Sequence, residues 1–133
     1  MATPRSLLQR FEALEIAPQD FHHEEHVRVA FAMLRQHDFV DACARYARTI
    51  RAMAAGAGAP EKFNTTITFA FMSLVAERAA KTPSQDIEEF LAANPDLLDK
   101  HLLRRWYSDK ELSSADARAR FILPDAALNS GPA

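Results

Sequence analysis

Apolar residues recur at helical spacing almost from the start of the chain. Leu7, Leu8, Phe11 and Leu14 mark a first amphipathic segment, with Thr3 and Pro4 as its expected N-cap and first helical residue and Pro18 as its end. Val27, Ala30, Phe31 and Leu34 form the stripe of a second helix, predicted from about His22 to His37. Asp38 is the expected N-cap of a third helix, Phe39 to Ala55, whose apolar side includes Cys43, Tyr46, Ile50 and Met53. A fourth helix is predicted from Glu61 to Lys81. Phe63, Ile67, Phe69, Phe71, Met72, Leu74 and Val75 make it apolar round much of its circumference, which marks the central helix of a bundle.

The breaks support this division. Gly56-Ala57-Gly58-Ala59-Pro60 combines two flexible residues with a helix-starting proline. Thr82-Pro83-Ser84 restarts the chain into a short helix that reaches Ala93, and Asn94-Pro95-Asp96 is expected to open another that ends near Tyr107. One or two helical turns follow between Ser108 and Phe121, then an extended Ile122-Leu123-Pro124. There are no strand-like β-branched runs, so the prediction is an all-α fold: a compact bundle of four main helices with short C-terminal helices. Residues 1–125 should form a single helical domain and residues 126–133 a flexible tail.

Composition narrows the function without naming it. The chain has 133 residues, 48% of them apolar, and a net charge of -2. That is enough apolar material for one core, and it lacks the basic excess of a nucleic-acid binder. Cys43 is the one cysteine, so no intrachain disulfide can form. It sits in an alanine-rich helical stretch, where a buried inert thiol is expected. No apolar run approaches the ~20 residues needed to cross a bilayer, and the N-terminus reads as an amphipathic helix rather than a signal peptide. The expectation is a cytoplasmic protein with a small-molecule partner, without nucleic-acid or membrane partners, and with homodimerisation as an open alternative.

The candidate chemistry gathers at Phe21-His22-His23-Glu24-Glu25-His26. Imidazole changes charge near neutral pH and is the commonest metal ligand. His23 and His26 are spaced i, i+3 and lean toward the apolar stripe, whereas His22 lies further round and should be exposed. Two ligands from one turn do not complete a metal site, and the plainer reading is a polar helix start. On the fourth helix Asn64, Thr68 and Phe71 share one face, while Thr66, Ala70, Ser73 and Glu77 share another. Glu77 follows Leu74, Val75 and Ala76, so it reads either as a ligand or general base or as half of an ion pair with an arginine on a neighbouring helix. Trp106 and Tyr107 read as the wall of a ligand pocket or of a subunit interface, with core and rim the plainer reading.

These residues carry a resemblance. Phe21-x-His23-x-x-His26-Val27-Arg28-Val29-Ala30 is a first block. Gly58-Ala59-Pro60-x-x-Phe63-Asn64-x-Thr66-Ile67-Thr68, running on to Glu77-Arg78, is a second. Asn94-Pro95-x-Leu97-Leu98, Tyr107-Ser108 and Ala117-Arg118-x-x-Phe121-Ile122-Leu123-Pro124-Asp125 make a third. Together they resemble a group of short bacterial all-helical proteins with no established reaction. The family pattern reads Phe-x-His-x-x-His and then Tyr-His-x-Thr-x-Thr, which places a third histidine where this chain has Asn64. The resemblance implies a divalent-metal set of His23, His26, the residue at 64 and Glu77, with Asn64 a weaker and harder oxygen donor. His22 is an extra histidine that could compensate.

The functional expectation is a small metal-dependent or acid–base enzyme acting on a small organic molecule. His23, His26 and Glu77 are its catalytic and metal-binding candidates, and Asn64, Thr68, Trp106 and Tyr107 line its substrate site. A divalent metal ion is the candidate cofactor. The alternative is a non-catalytic helical module that binds a ligand or a protein.

Overall fold

The computed structural model describes residues 5–124. Thr3, Pro4 and the 126–133 tail lie outside the described residues. The fold is all-α. Among the described residues seven α-helices follow one another: α1 (Leu7–Glu12), α2 (His23–Gln36), α3 (Phe39–Gly56), α4 (Thr65–Lys81), α5 (Ile87–Ala93), α6 (Asp109–Leu112) and α7 (Ala115–Ala119). Single 3-10 turns at 18–20, 60–62, 95–98 and 102–105 join them. No helix among the described residues is long and apolar enough to cross a membrane.

Local chemistry sets the helix ends. The Ser6 hydroxyl accepts from the Gln9 N–H at 3.1 Å while the Gln9 side chain accepts from the Ser6 N–H at 2.8 Å, a reciprocal cap that starts α1. Leu14 does not extend the stripe of α1. Its backbone turns into the left-handed region at φ 59°, and its side chain is left exposed. Asp38 caps α3 as predicted, accepting from the Asp41 N–H at 2.8 Å. The predicted start of α4 moves by four residues. Pro60–Lys62 forms its own turn, and Asn64 caps the helix by accepting from the Ile67 N–H at 2.9 Å.

The core lies where α1, α2, α3, α4 and α5 meet. Phe11, Val27, Met33, Met72, Val75 and Phe90 are completely buried. Phe31 stacks on Phe90 with ring centroids 4.4 Å apart, and Phe11 lies 5.2 Å from Phe21 and 5.8 Å from Tyr46. Burying each such ring contributes on the order of 2–3 kcal/mol. α4 is central, as its apolar circumference predicts: it packs on α2, α3 and α7. Its first turn also grips the C-terminal segment. Thr65 donates to the Arg118 carbonyl, and the fully buried Thr66 donates to the Arg120 carbonyl and accepts from the Ile122 N–H.

One predicted helix is absent. Asn94 to Tyr107 forms two separate 3-10 turns, and the cause is visible at Leu97. In an α-helix its carbonyl would accept the His101 N–H. Instead the Leu97 carbonyl accepts from the His23 ring at 2.8 Å, and the Asp99 carboxylate takes the His101 N–H at 2.9 Å. A tertiary contact with α2 thus replaces the helical bond and leaves residues 99–101 as an open corner.

Candidate functional site

The N-terminus of α2 sets the imidazoles. His22 is the N-cap residue and is exposed, with its backbone N–H donating to Glu25 at 3.2 Å. His23 and His26, one turn apart, face inward beneath Phe21, Tyr46 and Phe71. The choice between His22 and His23 is therefore resolved in favour of His23.

Both rings line a cavity of about 250 Å³ bounded by α2, α3, α4 and the corner after Leu97. Its walls are mainly apolar: Tyr46, Ile50, Phe71, Leu74, Leu97 and Leu102. Lys62, Ile67, Asp99, Lys100 and Leu103 also line it, as do Asn64 and Thr68. Of these, Lys62, Ile67, Asp99 and Lys100 are exposed and mark its mouth.

The hydrogen bonds assign protons. A carbonyl can only accept, so His23 holds a proton on Nε2 for Leu97. In the neutral ring this leaves Nδ1 as an unprotonated acceptor. His26 Nδ1 pairs with the Tyr46 hydroxyl at 2.7 Å, a group able either to donate or to accept. Among the described residues, every buried side-chain nitrogen or oxygen has a hydrogen-bond partner. The second nitrogens of His23 and His26 have none, so they are not sealed in the core, and both residues line the cavity. Burial, and secondarily the neighbouring His23, lowers the pKa of His26 to about 4. His26 is therefore neutral at physiological pH. Burial pushes the Tyr46 phenol far above its usual range, so it remains a hydroxyl.

Asn64 and Thr68 reach the cavity, but their polar atoms are already engaged at the start of α4 and with the end of α6. Asn64 accepts from the Ile67 N–H and donates to the Leu112 carbonyl at 2.7 Å, and Thr68 donates back to the Asn64 carbonyl at 2.7 Å. They shape the wall rather than offering free ligating groups.

Three predicted residues lie elsewhere. Glu77 is exposed on another face of α4 and pairs with Lys81 at 2.9 Å, which holds its carboxyl below the usual range. Its expected partner, an arginine on another helix, is replaced by a lysine one turn along its own. This agrees with the separation of Glu77 from the Asn64–Thr68–Phe71 face already implied by helical spacing. Tyr107 is buried with its hydroxyl donating to the Ile122 carbonyl at 2.8 Å, and half-buried Trp106 precedes it. Neither lines the cavity. The metal set of His23, His26 and Glu77 does not assemble, and among the described residues no three histidine, cysteine, aspartate or glutamate side chains converge on one point. Two imidazoles with no carboxylate converging on them do not make a donor set for a divalent ion.

No protein-family model, curated protein or solved structure matches the chain. The chemistry of the cavity must therefore be read from its own residues.

Sequence reasoning missed Tyr46, Lys62, Asp99, Lys100 and the Leu97 carbonyl. Tyr46 falls on the apolar stripe of α3, where it reads as core. The other groups reach the cavity only through the broken helix after Leu97 and the turn before α4.

Proposed function

We propose that the protein binds a small organic molecule in the His23–His26 cavity and carries out acid–base chemistry on it. The observation that carries this reading is the pair of accessible imidazole nitrogens on an otherwise apolar wall. Binding cavities typically combine apolar walls with a few convergent polar groups. His23 has the arrangement of a general base, with one nitrogen oriented by a fixed acceptor and the other exposed. His26 is neutral and held by Tyr46 through Nδ1; because the Tyr46 hydroxyl matches either tautomer, the free nitrogen of His26 can donate or accept a hydrogen bond to the ligand and orient it beside His23.

A fragment screen followed by amide and side-chain NMR tests the reading. Hits should shift Tyr46, Phe71 and Leu97, and Phe71→Trp should fill the cavity and abolish them while the protein remains folded. Hits confined to other surfaces would contradict it. A non-catalytic binding protein occupies the same cavity. His23→Gln separates the two readings, since an enzyme loses proton exchange on a bound carbon acid while a binding protein shows none to lose.

A further inference from the structure

The cavity is neutral in its depth and charged at its mouth. Its interior presents the rings of Tyr46 and Phe71, the side chains of Leu97 and Leu102, and the neutral His26. Lys62 and Lys100 stand at the opening, one from the turn before α4 and the other from the corner where His23 interrupts the helix. Among the described residues neither ammonium group belongs to an ion pair. Asp99 is the acid on this lining, and one of its oxygens already accepts the His101 N–H. Two lysines therefore face one partly engaged carboxylate. The groove beyond the mouth adds Arg104 and Arg118 against Glu61 and Asp109, with Arg104 and Asp109 joined at 2.9 Å.

Size and polarity restrict what can enter. An apolar cavity of about 150 Å³ holds a benzene ring, so one of about 250 Å³ has room for a ring with a short chain or for a coiled aliphatic chain. Ile67, 40% exposed at the opening, extends the apolar path outward. A cationic end would meet two lysines, whereas a neutral polar end would leave them unanswered.

We infer that the ligand is an amphipathic organic anion, a small carboxylic acid whose carboxylate sits between Lys62 and Lys100 and whose apolar body enters toward His23 and His26. This inference rests on the cavity reading proposed above and names its substrate class. In this orientation the carbon chain, not the carboxylate, lies against the two accessible imidazole nitrogens. Proton transfer then occurs on the body of the ligand while the lysines hold its charged end.

The test uses matched pairs: 4-phenylbutyrate with 4-phenylbutyramide, and octanoate with octanamide. Each is titrated into the full chain while the His23 and His26 ring resonances are followed. At least one acid should bind about tenfold more tightly than its amide, as a charge-assisted contact gives. The difference should vanish in Lys62→Gln/Lys100→Gln, whose exposed positions leave the unfolding midpoint unchanged. Amides that bind as tightly as the acids, or an acid preference that survives in the double variant, would overturn the anion assignment and leave the cavity reading intact. Ring resonances unmoved by all four compounds would count against the cavity reading and the anion assignment together.

Discussion

Two polar clusters flank α4, and they differ in what they leave open. At its C-terminal end Arg78 donates to both oxygens of Asp96 at 2.7 Å and to Asn94 at 3.3 Å. Arg105 reaches Asp96 at 3.3 Å, and buried Asn94 donates to Thr82 and to the Phe90 carbonyl. The carboxylate, the amide and the guanidinium answer one another, tying α4 to α5 and to the 95–98 turn. In the other cluster, His23, His26 and Tyr46 make one hydrogen bond to Leu97 and one among themselves, and two ring nitrogens are left over. A closed network of this kind holds a fold together, and leftover groups on an apolar wall are available to a ligand. The two clusters are also connected. Arg78 and Asp96 fix the turn that presents the Leu97 carbonyl to His23, so the closed cluster orients the open one.

The comparison predicts losses of stability in two separate pH ranges. His26 binds a proton less readily when folded, with a pKa lowered from 6.5 to about 4. Between these values the unfolded chain carries more protons, so stability is full above about pH 6.5 and falls as pH drops toward 4. The loss is on the order of 2–3 kcal/mol. Denaturant melts at pH 7 and pH 4.5 should show it, and His26→Leu/Tyr46→Phe should flatten it. Asp96 behaves differently. Arg78 lowers its pKa from 3.8 to about 2, so its contribution persists above 3.8 and disappears only as pH falls through 2.

Arg78→Ala should cost about 2 kcal/mol, because it strands a partly buried carboxylate. It should also loosen His23, visible as broadening of that ring's resonance. Loss of stability without a change at His23 would separate the two clusters and break the link proposed between them.

Tyr46→Phe should cost about 1 kcal/mol by leaving His26 Nδ1 without its partner. The paired His26→Leu/Tyr46→Phe change should be less destabilising at pH 7 than His26→Leu alone, which leaves a buried hydroxyl unanswered. A cycle of the four proteins measured by urea denaturation checks the sign.

Glu77→Gln should leave both the unfolding midpoint and ligand binding unchanged, since its pair with Lys81 is exposed to solvent on both sides. An effect on binding would return Glu77 to the site.

The helical fold and the inward face of α2 were legible in the sequence because they depend on local periodicity. Asp38 announced α3, Gly56 and Pro60 announced the break before α4, and the i, i+3 spacing of His23 and His26 placed them on the apolar stripe. The helix predicted after Asn94 failed because a contact across the chain, from His23 to Leu97, replaced its hydrogen bond. Glu77 misled for a related reason. Its apolar neighbours in sequence lie on other faces of α4, so they say nothing about its surroundings. The lysines at the mouth carry no local signal, since an exposed lysine at a turn is ordinary until the fold brings two of them to one opening.

The central claim is that the His23–His26 pair is an open acid–base site in which His26 is neutral. Long-range proton–nitrogen spectra of the imidazole rings between pH 4 and 8 test it most directly. The account predicts that His23 in its neutral form carries its proton on Nε2, and that His26 remains neutral down to about pH 5. A His26 that titrates near 6.5, or a neutral His23 protonated on Nδ1, would contradict it.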